Sequence, residues 1–550
     1  MKQKLLVLAL HVAIATLLFG CGQQAETGIT ASIRVPAHMN GPVYGDMIVM
    51  GSIADCCVLL PVLCTDKPST RITDLIFNGL LKYDKDANLV GDLAEKWEMS
   101  RDKSTIRFHL RRNVRWQDGK PFTAHDVAYT YGVYVDPKTP TAYASSFMKI
   151  QELRVPDDYT VEAIYAEPYA PALDSWVINK ILPRHLLSHQ DITTCPSRTM
   201  PIGTGPYKLR EWKVGEKIVL DANPDYYEGK PFISRVLSRT IPDTATMFLE
   251  LKTGKLDSMQ LTPLQHTRQT ESDWFKENFT KYRYTPFGYT YLGYNLKDWK
   301  FQDKRVRQAI TSAIDREGIV QGVLLGLGQV AHSPYKPDTY YYNADVKKWD
   351  YNPDLARTLL EDAGWKDTDG DGIIDKDGKP FEFTIITNQG NDLRKNAAVI
   401  IQNYLKAVGI KVNVRVIEWA ALIKDFLGRR NFEAFLCGWA SEVDPDGINQ
   451  WHSSKTGPNQ FNHGHYENSE VDRLLELGVS TYDPPERKRY YDRFQELLAE
   501  DQPVTFLWVD TAVQIVHSRF RNIQPAAMGL AHNFEKWYSA PGLQKYEIHE

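Results

Sequence analysis

Residues 381–420 read FEFTIITNQGNDLRKNAAVIIQNYLKAVGIKVNVRVIEWA. Residues 381–388 predict a strand, residues 395–409 place apolar side chains at helical spacing, and residues 411–419 predict a second strand. A strand, a helix and a strand in this order form a parallel pair with a right-handed crossover. Open sheets of this kind bind ligands beyond the carboxyl ends of their strands.

Two tryptophans fall at predicted strand ends. Residues 432–440, FEAFLCGWA, predict another strand. Trp419 and Trp439 then both lie at the edge where ligands gather in an open α/β sheet. A tryptophan at a strand end either lines a pocket or packs in the core. Both interpretations stay open from the sequence.

Three acids follow Trp439 in the stretch GWASEVDPDGINQWHSS, residues 438–454, namely Glu442, Asp444 and Asp446. Buried acids cost free energy and usually mark a function. They are catalytic carboxylates, or they bind a cation, or they lie on a solvated loop. Glycosidases need two carboxyls across a bond, but the sequence has no Gly-x-Ser-x-Gly elbow, no HExxH and no phosphate loop to support catalysis. We therefore expect a binding protein and not an enzyme.

Further elements are predicted on both sides of this region. Residues 46–53 read as a buried strand, and residues 104–116 alternate as an antiparallel strand pair. Residues 123–126 form a capping box that opens a helix. Residues 303–317 have helical periodicity, and Asn352 and the proline after it start another helix.

The composition is that of a globular protein. The 550 residues exceed what one core accommodates, so we expect several lobes. The chain is 43% hydrophobic and 24% charged, as in ordinary soluble proteins. A net charge of −4 and the absence of a basic stripe argue against a nucleic-acid partner.

The N-terminus is typical of an exported lipoprotein. Residues 1–20 combine two lysines with an apolar run and predict a secretory signal peptide. Leu18 to Cys21 resembles a bacterial lipobox, which predicts a diacylated Cys21 as the new N-terminus. Cleavage as a plain signal is the alternative. Residues 21–44 would then be anchor and tether, and acyl chains would hold the protein at a membrane.

The other cysteines leave several pairings open. With Cys21 used for lipid, an odd number remains, so at least one thiol stays unpaired within a monomer. Cys56 or Cys57 with Cys64, or any of them with Cys195, could form a disulfide in an oxidising compartment. A sixth cysteine, in the apolar run Phe435-Leu436-Cys437, is expected to pack as a small hydrophobic residue.

The run DTDGDGIIDKDG, residues 367–378, resembles the front of a calcium loop. Acids stand at positions one, three, five and nine, namely Asp367, Asp369, Asp371 and Asp375. Position twelve is Gly378, so the bidentate glutamate is missing, and a tight solvated turn has the same composition. We expect a structural Ca²⁺ at most. His452, His463 and His465 could form another metal site, but without matched spacing we expect surface histidines.

Several motifs together carry a family resemblance, which runs from about residue 45 to about residue 540. They are FNGLLKYDKDANLVGDLAEKWEMS (77–100), FHLRRNVRWQDGKPFTAHDVAYTY (108–131), PIGTGPYKL (201–209), ANPDYYEGKP (222–231), YLGYNL (291–296), RVRQAITSAIDRE (305–317) and ARTLLEDAGW (356–365). Their order and spacing resemble family 5 of the extracellular solute-binding proteins of ABC importers, which includes oligopeptide-, dipeptide- and nickel-binding receptors.

The resemblance implies an α/β clamp of two lobes, of the type II periplasmic-binding-protein kind, with an extra small inserted domain. Lobe I would combine residues 45–70, 195–285 and 505–550. The inserted domain would be residues 71–194, and lobe II residues 286–504. The lobes of such a clamp close over the ligand about a hinge.

The resemblance also implies a role for the acids. In peptide-binding relatives an aspartate three residues after the Gly-Trp tryptophan pairs with the peptide α-ammonium, and here that position is Glu442. The relatives' arginine three residues before the tryptophan is Leu436 here, so part of their polar network is missing. Trp419 and Trp439 match tryptophans that line the ligand channel. The alternative for Glu442 is an acid at the rim paired with a lysine.

Two further positions match the family pattern. Arg394 corresponds to a basic residue near the peptide carboxyl end in some relatives, and Tyr143 to a tyrosine that touches ligand from the inserted domain. A solvated helix residue is the alternative for Arg394.

The resemblance therefore implies a monomeric, lipid-anchored receptor, periplasmic or at the cell surface. It would capture short peptides and deliver them to a membrane permease, with no required cofactor. A nickel chelate or an oligosaccharide is the alternative ligand, since this frame carries several ligand classes.

Overall fold

The computed structural model describes residues 41–548. The strands of its first half are β1 (Gly45–Ser52), β2 (Leu81–Tyr83), β3 (Leu89–Gly91), β4 (Ala94–Met99), β5 (Thr105–Leu110), β6 (Ile150–Asp157), β7 (Thr160–Tyr165), β8 (Tyr207–Lys213), β9 (Lys217–Ala222), β10 (Ile233–Thr240), β11 (Ser258–Gln260) and β12 (Phe279–Tyr284). Those of the second half are β13 (Tyr289–Tyr294), β14 (Gly328–Val330), β15 (Asp375–Lys376), β16 (Lys379–Pro380), β17 (Glu382–Asn388), β18 (Lys411–Ile417), β19 (Ala434–Trp439), β20 (Val504–Asp510), β21 (Ala512–His517), β22 (Phe520–Arg521) and β23 (Tyr538–Ser539).

The α-helices are α1 (Lys67–Ile76), α2 (Ala124–Val135), α3 (Ala144–Phe147), α4 (Ala172–Ile178), α5 (Arg184–Leu187), α6 (Thr244–Lys252), α7 (Asp273–Asn278), α8 (Lys304–Ala313), α9 (Arg316–Gly322), α10 (Pro353–Asp362), α11 (Asp392–Lys406), α12 (Trp419–Ala421), α13 (Ile448–Trp451), α14 (Ser469–Ser480) and α15 (Pro484–Asp501). No helix within residues 41–548 is both long and apolar enough to cross a bilayer.

Three sheets carry the architecture. A seven-stranded sheet has the order β12-β21-β11-β1-β10-β9-β8, and a six-stranded sheet has the order β14-β20-β13-β19-β17-β18. A four-stranded antiparallel sheet, β4-β5-β7-β6, belongs to the chain between β1 and β8. The molecule thus has two large α/β lobes and a smaller domain inserted in the first.

The opening stretch forms the predicted unit. In the six-stranded sheet β17 runs parallel to both β18 and β19, and α11 connects β17 to β18. The apolar side of α11, with Ala397 and Ile401, packs in one core with Phe383 and Ile385 of β17. The remaining pairs in this sheet are antiparallel, so the sheet is mixed where we predicted only its parallel part.

The chain crosses between the lobes twice. It leaves the first sheet after β12 and enters the second at β13, and it returns between β20 and β21 through Thr511. We assigned residues from 505 onward to lobe I, whereas Val504–Asp510 pairs with β13 and β14 of the second sheet. This strand was misassigned because its apolar run fits either sheet. The other domain bounds stay a prediction.

Local capping signals confirm the predicted helix starts. Thr123 and Asp126 form the capping box of α2. Asn352 accepts from the Leu355 N–H at 2.9 Å at the start of α10.

Two local predictions from the sequence were wrong. The predicted helix over 303–317 divides into α8 and α9, because Ile314 is extended and Asp315 caps the second helix through the Gly318 N–H at 2.7 Å. The predicted strand pair within 104–116 is also wrong, because β5 pairs with β4 and β7 and the segment after it is a turn.

Candidate functional site

Strand ends of the second lobe bring the predicted residues to one edge. Trp419 follows β18, Trp439 ends β19, and Arg394 lies in the first turn of α11, just after β17. Since β19, β17 and β18 are adjacent and parallel, their carboxyl ends share an edge. Gly288, at the first crossing between lobes, has φ +148°, and a Cβ there would lie 2.3 Å from the Trp439 carbonyl oxygen. Only glycine lets the crossing chain approach this strand end so closely.

Glu442 has a carboxylate without a protein partner. Among the described residues it makes no hydrogen bond and no ion pair. Water reaches its side chain, yet protein surrounds it, and this burial raises its pKa. The charges that act on it belong to the first lobe and the inserted domain, namely Lys67, Asp74 and Lys180. A carboxylate that water reaches although protein surrounds it, as here, lines a cleft inside the molecule.

Lys67 and Lys180 both act on Glu442 from beyond ion-pair distance, and Lys180 has another partner. Its Nζ lies 3.3 Å from the Asp74 carboxylate. Glu442 therefore meets whatever enters the cleft without an ion-pair partner among the described residues.

The other two acids of the loop have structural partners. Asp444 makes a two-bond ion pair with the Arg487 guanidinium at 2.7 and 2.8 Å. Asp446 accepts from the Tyr169 hydroxyl at 3.2 Å and from the Ile448 N–H at 2.9 Å, and burial raises its pKa to about 6. Of the three acids, Glu442 alone is left to meet a ligand.

Three aromatic rings connect the inserted domain to the second lobe. Phe461 packs edge-on against Trp439 at 5.1 Å and against Tyr143 at 5.5 Å between ring centroids. Trp439 and Tyr143 are half-buried, whereas Phe461 is buried. Phe461 could not be predicted as a site residue, because it lies in a bend without periodicity. We call the three rings of Tyr143, Phe461 and Trp439 the aromatic wall.

Arg394 lies against strand ends and is half-buried. It donates to the Asn388 carbonyl oxygen of the side chain at 2.9 Å. A Cβ at Gly438 would come within 2.4 Å of its guanidinium, so glycine makes room for it beside Trp439. Burial raises the pKa of Asp510, and Arg394 opposes that rise. Within residues 41–548 the guanidinium forms no ion pair.

Trp419 reaches the first lobe. Its indole N–H donates to Asp66 at 3.4 Å, and Asp66 is the residue that caps α1. Contacts of this type occur where the lobes are closed upon each other. The inserted domain also meets the second lobe, since the Ala170 N–H donates to the Val479 carbonyl at 2.7 Å and the Tyr482 hydroxyl donates to the Tyr169 carbonyl at 2.8 Å.

Apart from the cleft at the strand ends, a cavity of about 1080 Å³ lies between the lobes. It is lined by α6 of the first lobe and by α11 of the second. Val49 packs in the core beneath α6, and Ile385 packs in the core beneath α11. Their neighbours Ile48 and Ile386 face the other way, into a third core that also includes Trp419. This space is therefore on the opposite faces of the two sheets from the predicted site.

The aspartate loop brings together three of its four predicted acids. Carboxylate oxygens of Asp367, Asp369 and Asp375 lie within 4.8 Å of one another, and Asp371 is outside this group. Asp375 already accepts from the Thr368 hydroxyl at 2.7 Å. The loop lies between α10 and β17, at the amino end of that strand and away from the strand ends described above.

The predicted histidine and cysteine positions have structural roles. His463 is enclosed by protein and its Nδ1 lies 2.7 Å from the Arg430 guanidinium, and burial lowers its pKa to about 3. It is therefore not the surface residue that we expected. Within residues 41–548 the histidines form no metal-binding group. Cys21 lies outside the described residues.

All the cysteines within the described residues are free thiols. They are Cys56, Cys57, Cys64, Cys195 and Cys437. Cys437 is buried in the second lobe, as expected for a small hydrophobic side chain.

Two lobes joined by two crossing segments, with an enclosed acid and aromatic walls at the strand ends between them, define a clamp-type ligand-binding receptor. The chain belongs to the bacterial extracellular solute-binding proteins, family 5, whose middle segment matches residues 88–461. The predicted family and fold class are thereby confirmed.

Similar proteins cover nearly the whole chain. The oligopeptide-binding protein AppA of Bacillus subtilis is 33% identical over 98% of this chain and 99% of its own. Its structure in complex with a nonapeptide gives a TM-score of 0.87 and covers 91% of this chain and 100% of that chain. DppA of Helicobacter pylori in complex with the peptide STSA is 26% identical, covers 90% and 99% of the two chains and gives 0.82. NikZ of Campylobacter jejuni in complex with Ni(L-His) is 28% identical, with the same coverage and TM-score.

Proposed function

We propose that this protein is the substrate-binding receptor of an ABC importer and that it captures short peptides. The observation that carries this proposal is the Glu442 carboxylate, enclosed in the cleft and without a protein partner. A ligand that displaces water from the closed cleft must supply a charge of opposite sign to this carboxylate. The α-ammonium of a peptide supplies that charge, and Arg394 offers a positive group for the carboxyl end.

The aromatic side chains around the cleft suit a ligand whose own side chains vary. Trp419, Trp439 and Tyr143 present half-buried rings, and rings accept many side chains without requiring one of them. AppA and DppA, which resemble this chain over nearly its full length, were both solved with a peptide. These likenesses support the proposal.

Native mass spectrometry of the protein purified without refolding tests the ligand class. We expect bound species whose masses and fragments are those of peptides. Titration calorimetry then compares free-amine peptides with Ni(L-His) and an oligosaccharide. Retention of the metal chelate or of the sugar, without retention of peptides, would contradict the proposal.

A nickel chelate is the second candidate, because NikZ resembles this chain. The observation against it is that His463 binds Arg430 instead of facing a ligand. A neutral oligosaccharide would use the tryptophans but would leave the Glu442 charge unpaired in the cleft.

We propose no catalytic activity. Catalysis by paired carboxylates needs both acids at the reacting bond, and Asp444 and Asp446 are already held by Arg487 and Tyr169. Recovery of each peptide unchanged after incubation tests this, and peptide turnover would contradict it.

We propose that Cys21 is lipidated and holds the protein at a membrane surface, in the periplasm or at the cell surface, as a monomer beside its permease. A Cys21→Ser variant should leave the membrane fraction and appear in the soluble one. Light scattering of the purified protein should give the mass of one chain.

We propose that any ion at Asp367, Asp369 and Asp375 is structural Ca²⁺. Three carboxylates at one loop match the hard oxygen ligands that calcium prefers. The position of the loop, at the amino end of β17, separates it from the ligand cleft.

A further inference from the structure

Asp66 forms a hydrogen bond between the lobes to a residue of the proposed cleft. It is the N-cap of α1 in the first lobe, where its carboxylate accepts from the Ser69 N–H at 3.0 Å. The same oxygen accepts from the Trp419 indole N–H at 3.4 Å. Trp419 belongs to the second lobe, so this contact exists only while the two lobes meet.

Asp66 is buried. Its side chain is 5% exposed, and burial raises its pKa. Within the described residues it forms no ion pair, and its other carboxylate oxygen, Oδ2, is buried without a hydrogen-bond partner. The thiols of Cys56 and Cys57 lie near enough for its charge to act on them. A carboxylate in such a place is costly, so each donor that reaches it matters.

Trp419 packs against the core, and the one polar contact of its side chain in the described residues is the bond to Asp66. It begins α12, which continues without a break into a π-helical segment over Leu422–Leu427, and the Glu418 carboxylate accepts from the first free N–H groups at 2.9 Å. The ring is half-buried, and its N–H has Asp66 as its acceptor. The Asp66 carboxylate therefore selects one orientation of the half-buried indole.

We propose that Asp66 is a positioning residue for the ligand cleft. It holds the Trp419 indole against the first lobe in the closed clamp and so slows ligand release. This inference rests on the proposed function. A hydrogen bond made only after closure affects the dissociation rate and leaves the association rate nearly unchanged.

Four variants test the bond. Asp66→Ala removes the acceptor, Trp419→Phe removes the donor, and the double variant removes both. Asp66→Asn keeps a side-chain oxygen that accepts from Trp419 and caps α1, because asparagine is as good an N-cap as aspartate. Stopped-flow fluorescence with the tetrapeptide Ala-Leu-Ala-Leu gives both rate constants.

We expect Asp66→Ala to raise the dissociation rate about tenfold, in the range of a hydrogen bond to a charged group. The double variant should equal Trp419→Phe, because both remove the same bond. Asp66→Asn should stay within about threefold of wild type. A double variant whose losses multiply, or an Asp66→Asn as fast as Asp66→Ala, would overturn the inference.

Asn352→Ala is the control for loss of a helix cap. Asn352 caps α10 through the Leu355 N–H at 2.9 Å and makes no bond to Trp419. The Asn352→Ala variant should have a lower melting temperature, like Asp66→Ala, and an unchanged dissociation rate. A faster release in this control would show that cap loss alone explains Asp66→Ala, and would refute the positioning role.

A ligand-free measurement separates this inference from the proposed function. With 5-fluorotryptophan incorporated, the ¹⁹F resonance of Trp419, assigned by its loss in Trp419→Phe, should shift in Asp66→Ala and remain near its wild-type position in Asp66→Asn. If no peptide binds but this pattern holds, the function fails and the Asp66 contact stands. If peptides bind and the Trp419 resonance does not shift in Asp66→Ala, the contact is refuted.

Discussion

Replacing Glu442 by glutamine removes an acid that has no ion-pair partner within residues 41–548, while keeping the size of the side chain. Among residues 41–548 no cation is within ion-pair distance of Glu442, since Lys180 pairs with Asp74 and Lys67 acts on it only at longer range. In the closed clamp the ligand ammonium would lose its counter-charge and stay enclosed. Removal of one partner of a buried pair costs about 3–5 kcal/mol. Because water reaches Glu442 and screens its charge, we take the lower end, which is at least about a hundredfold in affinity.

Calorimetry with matched peptides measures this effect. The free-amine peptide and its N-acetyl form are each titrated into wild type, Glu442→Gln and Glu442→Asp. Wild type should prefer the free amine by about a hundredfold, and Glu442→Gln should lose this preference. Glu442→Asp, which keeps the charge on a shorter arm, should retain most of it. Equal binding of both peptides to wild type and Glu442→Gln would refute the role of Glu442.

The pH dependence provides a second measure of the same contact. Burial raises the pKa of Glu442. Protonation removes the charge that holds the ammonium, so affinity for the free-amine peptide should fall as the pH falls through that raised pKa. The N-acetyl peptide should not follow this dependence, and a parallel loss for both peptides would exclude Glu442 as the titrating group.

The remaining predictions concern the frame around the cleft. Burial and the nearby Asp444 raise the pKa of Asp174 to about 7, far above its value in an unfolded chain, so the fold loses stability as the pH rises from that unfolded value to about 7. Asp174→Asn, which still accepts from the Tyr83 hydroxyl, should melt higher than wild type at pH 8 and lose that advantage by pH 4; a variant that melts lower at pH 8 would contradict this. Phe461→Ala should weaken peptide binding about tenfold or more by freeing Trp439 and Tyr143, whereas Phe461→Leu should retain most of the affinity; equal affinities in calorimetry would refute the aromatic wall. Calcium should raise the melting temperature by a few degrees at most and leave the peptide affinity unchanged, and loss of peptide binding with a chelator would refute the placement of the loop at 367–378.

Much of the second lobe could be predicted from the sequence. Period-two and period-3.6 patterns identified β17, α11, β18 and β19, because each buries a continuous apolar face against the same core. The parallel order then follows from the handedness of the crossover. The capping residues Thr123 and Asn352 were equally readable, since a cap depends on neighbours within three residues. Family motifs spread along the chain added the two-lobed frame.

Tertiary structure decided which acids were free. Glu442, Asp444 and Asp446 are indistinguishable in sequence, and their partners Arg487 and Tyr169 lie tens to hundreds of residues away. Only the packing of the lobes and the inserted domain brings those partners to two of the acids and leaves the third unpaired.

The same reason limited what the sequence could say about the walls of the cleft. The roles of Phe461 and Asp66 in the cleft carry no local signal, because each acts through contacts with other parts of the chain, Phe461 with Tyr143 and Asp66 with Trp419. The assignment of β20 to the second sheet was hidden for a related cause, since an apolar strand fits any sheet and only its partners identify it. Local patterns thus determined the elements of this protein, and long-range contacts determined its cleft, because charge pairing and ring packing depend on proximity in space.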